Sequence, residues 1–324
     1  MRKETIKHLG LTYGPLLAAL ALEFAIFEYL GRRQGIPWFV STDILMLILN
    51  QSVVYGIMVV GMTFVIITGG IDLAVGSLLA CAGVAAAMVV QWGGEPVWAY
   101  NALGGVAALL LGAGVGAIAG FLITAFGIPP FIATLALMSA LRGLGNLATD
   151  GKPISPLPPE YTFVGRYQLG GLLPLSVLLY AVVLAGGLLL LHHTKFGRHV
   201  RAIGGNEESA RLSGIPVDRV KFLVYVLSGV LTAIAGLVLS SRLGSGSPKI
   251  GVGDELGVIA AVVVGGTSLS GGRGSIAGTF MGLLVVSVLN SGLTWIGVET
   301  FGQQVTLGLV ILAAVLLDKI KGRV

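Results

Sequence analysis

The sequence has little of what a soluble protein uses to hold its shape in water. Its one cysteine, Cys81, excludes a disulfide framework and a cysteine-rich metal site, and its apolar neighbours indicate core packing. Only 11% of the 324 residues are charged, whereas 55% are hydrophobic and the mean hydropathy is +0.93. A soluble domain of this length cannot bury so much apolar surface. The composition therefore indicates a protein embedded in a lipid membrane.

Motifs for catalysis and for nucleotide binding are missing as well. The one Gly-Lys pair that could end a P-loop, at Lys152, has Asn146 where the motif needs its first glycine. No Ser/His/Asp or HExxH arrangement occurs, and no basic patch is interleaved with aromatic residues as nucleic-acid binding would need. Three histidines lack cysteine or carboxylate partners, so they form a weak metal motif and are interpreted as interfacial or partner-facing: His192, His193 and His199. We expect no enzyme activity, no metal and no cofactor in this chain.

Apolar windows of the length that crosses a bilayer fill most of the sequence. They predict ten helices, at about 15–30, 44–68, 75–91, 98–125, 129–148, 172–191, 220–240, 255–266, 275–293 and 303–317. The first is kept as a span because no small-residue cleavage site follows it. Glu23 and Glu28 within it indicate an exposed or partner-facing helix, with a proton relay as the alternative. The sequence therefore predicts an all-α, multi-pass membrane protein with one domain over 1–324.

Basic residues in the connections predict the orientation in the membrane. With the amino end inside, 13 of the 20 basic residues are cytoplasmic: Arg2, Lys3, Lys7, Lys195, Arg198, Arg201, Arg211, Arg219, Lys221, Arg273, Lys319, Lys321 and Arg323. The other seven fall outside, among them Arg142 and the opposing pair Arg32–Arg33. The balance predicts cytoplasmic termini, a proline-rich external loop at about 149–171 and a cytoplasmic connection at about 192–219.

Fifty glycines suggest two structural uses. Small residues recur every fourth position at Gly112, Gly116 and Gly120, and again at Gly278 and Gly282, which favours close helix packing inside the chain over a dimer interface.

The second use is to break helices. The segment GGIDLAVGS at 69–77 is loosely repeated as GGTSLSGGRGS at 265–275, and each segment lies between two apolar spans. Ser77 or Ser275 is expected to cap the following helix, and Asp72 to accept hydrogen bonds from backbone N–H groups that the break frees. Direct contact of Asp72 with a substrate or an ion is the alternative. The candidates for the break and the pathway are Gly69, Gly70, Asp72, Ser77, Gly265, Gly266 and Ser268.

The cytoplasmic connection contains a short helix with signals at both ends. Asn206 is a good N-cap, Glu207 and Glu208 suit the positive first turn, and Gly214 is expected in the left-handed conformation that ends the helix. A helix over 206–213 is too short to be stable alone. It is either a solvated surface loop or a docking element for a cytoplasmic partner, to which Ala210 and Leu212 offer apolar surface. The candidate docking residues are Gly205, Asn206, Glu207, Glu208, Ser209, Ala210, Arg211, Leu212 and Gly214.

Four segments together resemble one family. VIITGGIDLAVGSLLA, FIATLALMSALRGLGNLATDGKPI, HHTKFGRHVRAIGGNEESARLSGI and AAVVVGGTSLSGGRGSIAGTF are similar to the permease subunit of ribose-type sugar ABC importers, and the resemblance extends from about Asp43 to Lys319. It implies the ABC importer permease fold in the inner membrane and a homodimer around a central pathway. It also implies a separate cytoplasmic ATPase that binds ATP and magnesium, an external substrate-binding protein, and a coupling helix at 206–213.

Two kinds of alternative stay open. A secondary transporter would also have about ten helices with glycine breaks and would need no ATPase, although the short docking helix and the scarcity of buried charges count against it. Within the importer class, permeases for branched-chain amino acids or nucleosides are the alternatives to a sugar permease.

Overall fold

The computed structural model describes residues 2–36, 39–171 and 173–321. Its helices, numbered in chain order, are α1 (Arg2–Arg33), α2 (Thr42–Ile67), α3 (Val75–Trp92), α4 (Val97–Ala125), α5 (Pro130–Thr149), α6 (Pro159–Arg166), α7 (Leu175–His193), α8 (Lys195–Gly205), α9 (Glu207–Leu212), α10 (Val217–Leu243), α11 (Asp254–Val264), α12 (Ile276–Trp295) and α13 (Thr300–Lys321). Two short antiparallel strands, β1 (Gln168–Leu169) and β2 (Leu173–Pro174), precede α7. The predicted all-α class is confirmed. Arg323, which the predicted orientation uses, lies outside the described residues.

Each of the ten predicted spans contains a helix, but ten crossings are not confirmed. Within the described residues, eight helices are long and apolar enough to cross a membrane, and they are α1 from Tyr13, α2, α3, α4, α5, α7, α10 and α12. The predicted span at 255–266 is α11, whose 11 residues extend about 16 Å, roughly half of a bilayer core of about 30 Å. The apolar part of α13, Thr300–Leu316, is also shorter than those eight helices.

Glycine-lined helix packing holds the bundle together. On α4, Gly112 lies against the carbonyl of Gly229, and Gly116 lies against the carbonyl of Tyr225, so a Cβ at either position would collide with the backbone of α10. Gly282 of α12 meets Gly265 at the end of α11 in the same way. The small-residue faces pack inside the chain, which confirms the prediction that favoured internal packing over a dimer interface.

The predicted external loop carries the short helix α6. The hydroxyl of Tyr161 is hydrogen-bonded to Ser240 Oγ at 2.7 Å, and Ser241 Oγ donates to the carbonyl of Tyr161 at 2.8 Å. These contacts fix the helix against the end of α10. The loop therefore has an ordered contact with the bundle.

The two glutamates of α1 have different surroundings. Glu28 accepts a hydrogen bond from Arg32 Nε at 2.8 Å and one from the backbone N–H of Phe39 at 2.9 Å. It therefore ties the end of α1 to the chain that follows. Glu23 is partly buried, and its Oε2 atom has no hydrogen-bond partner among the described residues.

Candidate functional site

The two glycine-rich breaks meet each other in space. The carbonyl of Ile67, at the end of α2, accepts a hydrogen bond from the N–H of Gly272 at 2.9 Å. Gly69 has φ +79° and Gly266 has φ +87°, backbone conformations that favour glycine. Ser268 is buried, and its N–H donates to the carbonyl of Arg273 to close the second break. The sequence repeat therefore corresponds to two adjoining helix interruptions.

Asp72 is buried at the first break and holds it in place. Its Oδ1 accepts a hydrogen bond from the N–H of Ala74 at 3.0 Å, as predicted for a carboxylate that serves a free backbone group. Its Oδ2 accepts a second hydrogen bond, from Ser228 Oγ of α10, at 2.8 Å. Asp72 thus joins the break to α10, a contact that the sequence alone did not indicate.

The two serines that were expected to cap the following helices differ. Ser275 is the N-cap of α12 and accepts from the N–H of Gly278 at 3.0 Å, which confirms the prediction there. Ser77 does not cap α3, because the helix begins at Val75 and already includes Ser77. The prediction for Ser77 is wrong, since Asp72 takes the N–H of Ala74 and lets the helix start earlier. Ser77 is fully buried, and its Oγ has no hydrogen-bond partner among the described residues.

Residues 244–253 form a segment that runs back along α3. Gly246 packs on Val84 and Ala87, whereas Gly251 packs on Gly76, almost three helical turns nearer the start of α3. At its beginning, the segment exchanges two backbone hydrogen bonds with Ile154, at 2.8 and 3.0 Å. The segment connects α10 to α11 and packs against α3, and α11 begins at Asp254, directly after the segment.

Arg142 fixes this re-entrant segment, 244–253, from α5. Its Nη1 donates to the carbonyls of Pro248 at 3.0 Å and Ile250 at 2.6 Å, and its Nη2 donates to the carbonyl of Gly251 at 3.1 Å. The sequence prediction counted Arg142 among the basic residues on the external side. In the structure Arg142 lies in the second half of α5, one of the helices that are long and apolar enough to cross a membrane, and it pairs with backbone carbonyls of a segment without regular structure.

A further carboxylate and a tyrosine meet at the start of α11. Tyr55 of α2 donates from its hydroxyl to Asp254 Oδ1 at 2.7 Å, and Gly257 packs on the same tyrosine ring. Glu255 follows Asp254, and its Oε2 is buried without a hydrogen-bond partner among the described residues. Sequence reasoning missed Tyr55, Asp254 and Glu255. The available signal was an acidic pair directly before an apolar run that is too short to cross a bilayer.

The connection at 192–219, which the sequence predicts to be cytoplasmic, contains two helices instead of one. Helix α8 is capped by Thr194, whose Oγ1 accepts from the N–H of Gly197 at 3.2 Å, and it buries Val200 and Ile203. The sequence reasoning missed α8, although a threonine cap followed by apolar residues at helical spacing was available as a signal. Near its end, Gly204 lies directly against the carbonyl of Ile67 and the N–H of Gly272. The connection thus touches both glycine-rich breaks.

Helix α9 follows as predicted. The side chain of Asn206 accepts from the N–H of Ser209 at 2.8 Å, and Gly214 has the left-handed conformation with φ +79°. Arg211 makes a two-pronged ion pair with Asp218 of α10, at 2.8 and 2.9 Å. These hydrogen bonds raise the pKa of Arg211 above its ordinary value. Because both side chains are exposed, the pair orients the helix more than it stabilises the fold.

One expectation for α9 is wrong. Ala210 is only 4% exposed and packs into the main hydrophobic core, so it cannot offer apolar surface to a partner. The reason is that a six-residue helix is too short to be stable alone and must be held by its inward face. Leu212 is 84% exposed and does offer such surface, and the other candidate residues of the helix are exposed: Gly205, Asn206, Glu207, Glu208, Ser209, Arg211 and Gly214.

The described residues contain no group of three or more His, Cys, Asp or Glu side chains that could hold a metal. Of the three histidines noted in the sequence, His192 contacts Arg201 through Nδ1 at 3.3 Å.

Cys81 is buried and its thiol donates to the carbonyl of Leu141 at 3.1 Å, as the core-packing prediction required. The eight long apolar helices and the interrupted segments between them therefore define a multi-pass membrane protein.

Comparison with known proteins identifies the family. Residues 44–317 match the family model described as the permease component of branched-chain amino acid transport systems. The chain is 48% identical over 292 residues to the ribose import permease protein RbsC of Bacillus subtilis (strain 168), covering 88% of this chain and 87% of that protein. It is 44% identical over 308 residues to RbsC of Escherichia coli (strain K12), covering 94% and 93%. It is 37% identical over 331 residues to the xylose transport system permease protein XylH of the same strain, covering 84% and 83%. No solved structure matches the chain.

The chain belongs to this family of ABC transporter permease components. The family resemblance that the four sequence segments indicated is therefore confirmed. As in its relatives, the chain is a transport subunit without an ATPase site of its own.

Proposed function

We propose that this chain is the permease subunit of an ABC importer that passes a pentose sugar through the membrane. The observation that carries the proposal is the identity of 44–48% to two ribose import permeases over 88–94% of the chain. The matching family model is described by branched-chain amino acid transport, which makes such amino acids the second candidate. The sugar is favoured because the ribose and xylose permeases reported above match this chain over most of its length.

The energy would come from a separate cytoplasmic ATPase that binds ATP and magnesium, and the sugar would be delivered by an external binding protein. Helix α9 would be the coupling helix that docks into the ATPase. Two observations support this role. Leu212 projects from the end of α9 with 84% of its surface exposed, and Glu207 and Arg211 hold the helix on α10 through Lys221 and Asp218. A short helix that is tied down but leaves one large apolar side chain free suits a partner groove.

Gly204 supports a mechanical link from the ATPase to the pathway. A displacement of α9 moves α8, because the two helices are consecutive and only Asn206 separates them. Since Gly204 touches the backbone at Ile67 and at Gly272 without an intervening side chain, motion of α8 would reach both helix breaks. The break residues Gly69, Gly70, Asp72, Gly265, Gly266 and Ser268 would then act as hinge and support of the pathway.

A homodimer would complete the pathway. A cleft of about 380 Å³ lies between α3, α5 and residues 252–255, and exposed residues at its edge, Ser139, Gly143 and Val252, open it to the surface of a single chain. A second copy packed on this face would separate the cleft from lipid. This placement supports a central pathway between two permeases.

The proposed orientation has both termini in the cytoplasm of a bacterial inner membrane. In a variant with Cys81→Ala, cysteine introduced by Ser155→Cys should react with a membrane-impermeant thiol reagent in intact cells. Ser209→Cys should react only after the cells are opened, because both serines are exposed and the proposed orientation puts them on opposite sides of the membrane. The reverse labelling pattern would contradict the orientation.

Uptake by reconstituted vesicles tests the substrate. The permease, its ATPase and its binding protein should import radiolabelled ribose or xylose and leave labelled leucine outside. Import of leucine without import of either pentose would replace the sugar with the second candidate.

A further inference from the structure

Two residues that line this cleft each have a buried oxygen atom without a partner among the described residues. Ser77 Oγ belongs to a residue with 0% exposure, and Glu255 Oε2 is buried against the backbone of Gly76, where any Cβ would collide with it. Both residues belong to the lining of the cleft. A buried polar atom without a hydrogen bond is costly, so native proteins supply it with a partner. Among the described residues no partner is supplied, and the cleft is the space from which one can come.

The walls around these atoms are fixed. Arg142 lines the cleft and is held by the three carbonyls of the re-entrant segment, and Asn146, one turn further along α5, donates from Nδ2 to the carbonyl of Arg142 at 2.8 Å. On the opposite wall, Tyr55 fixes Asp254 beside Glu255. The cleft is therefore preorganised, and its volume of about 380 Å³ lies near the lower end of small-molecule sites.

The groups present suit one class of ligand. A carboxylate oxygen only accepts hydrogen bonds, and a serine hydroxyl both accepts and donates. A neutral molecule with several hydroxyl groups satisfies both atoms at once and brings no charge into the bundle. A ligand carboxylate would meet Glu255 as a like charge, and the Nη1 and Nη2 atoms of Arg142 that could bind it already donate to backbone carbonyls.

We infer that this cleft is a sugar-binding point of the translocation pathway, in which Ser77 Oγ and Glu255 Oε2 hydrogen-bond hydroxyl groups of a passing pentose. The inference rests on the proposed function and adds the residues that recognise the sugar inside the membrane. Ser77 and Glu255 lie on α3 and at the start of α11, the elements that border the two glycine-rich breaks. Movement at the breaks would therefore open or close the contact with the sugar.

The test measures ribose molecules imported per ATP hydrolysed in vesicles that contain the complete transporter. This ratio is chosen because the external binding protein determines the apparent affinity, whereas a weakened point inside the permease lets sugar escape after hydrolysis. Ser77→Ala and Glu255→Met should each lower the ratio about fivefold, the effect of one lost hydrogen bond, while stimulation of the ATPase by loaded binding protein remains. Glu255→Gln, which keeps an acceptor oxygen, should retain more of the ratio than Glu255→Met.

Matched controls lie elsewhere in the bundle. Ser52→Ala removes a buried serine that bonds only to the backbone of its own helix, and Glu23→Met removes another partly buried glutamate on α1, so both should keep the wild-type ratio. The inference is overturned if Ser77→Ala and Glu255→Met import at the wild-type ratio, or if the controls fall equally. A wild-type transporter that imports neither ribose nor xylose would contradict the proposed function itself, and that result does not depend on the variants.

Discussion

The junction between α8 and the two glycine-rich breaks gives the sharpest prediction, because two adjacent glycines provide a matched pair. A methyl group at Gly204 would overlap the carbonyl of Ile67 and the N–H of Gly272, whereas a methyl group at Gly205 would meet nothing within 4 Å. Both residues end the same helix, so the gain in helix propensity from glycine to alanine, roughly 0.5–1 kcal/mol, is similar for the two. The difference between the variants therefore isolates the collision.

The size of that difference follows from overpacking. Backbone atoms on both sides cannot rotate away, so α8 must shift, and insertion of a methyl group into such a contact costs about 1–3 kcal/mol. Gly204→Ala should weaken the contact between α8 and the breaks by this amount, which corresponds to about a fivefold change or more in the population of the intact junction. Gly205→Ala should be neutral or slightly stabilising.

Binding-protein-stimulated ATP hydrolysis in reconstituted vesicles checks this prediction, and thermal unfolding of the solubilised permease accompanies it. Gly204→Ala should lose most of the stimulation and unfold at a lower temperature, while Gly205→Ala should match the wild type in both. If Gly204→Ala retains full stimulation with an unchanged unfolding temperature, the contact of Gly204 with Ile67 and Gly272 does not transmit motion, and the proposed link is refuted.

Two further predictions concern residues that the sequence singled out. Asp72→Asn should keep folding and transport, because its amide oxygen can accept from Ala74 and its amide nitrogen can donate to Ser228. Asp72→Leu should unfold at a lower temperature, because each group left unpaired lowers the free energy of unfolding by about 1–3 kcal/mol. Loss of transport by a well-folded Asn variant would instead indicate a role for the charge. Leu212→Asp should reduce co-purification of the ATPase and leave the permease stable, whereas Ala210→Arg should destabilise the permease itself because Ala210 is buried. Undiminished ATPase binding by Leu212→Asp would contradict the docking role of α9.

Features with local causes could be predicted from the sequence. The apolar runs indicated the helices, because about 20 residues must be apolar to cross a bilayer. The cap at Asn206 and the left-handed Gly214 also follow from neighbouring residues alone. The small residues on α4 indicated close packing inside the chain, because glycine at every fourth position forms one flat face.

Features that depend on distant contacts could not be predicted. The segment 244–253 is polar and rich in glycine, so it resembles an external loop until Arg142, about 100 residues earlier in the chain, is seen to hold its carbonyls. Ala210 faces the core only because α9 is clamped to α10. The spacing of residues predicts Ser77 as a cap, but it does not indicate that the N–H of Ala74 donates to Asp72. That hydrogen bond moves the start of α3 to a position before Ser77.

The energy source of uptake tests the central claim most directly. In vesicles that contain the permease, its ATPase and the binding protein, accumulation of labelled ribose is measured once with enclosed ATP and once with an imposed proton or sodium gradient alone. An ABC permease should accumulate ribose only with hydrolysable ATP, and omission of the binding protein should abolish accumulation. Accumulation driven by an ion gradient in vesicles without the ATPase would contradict the account and favour a secondary transporter.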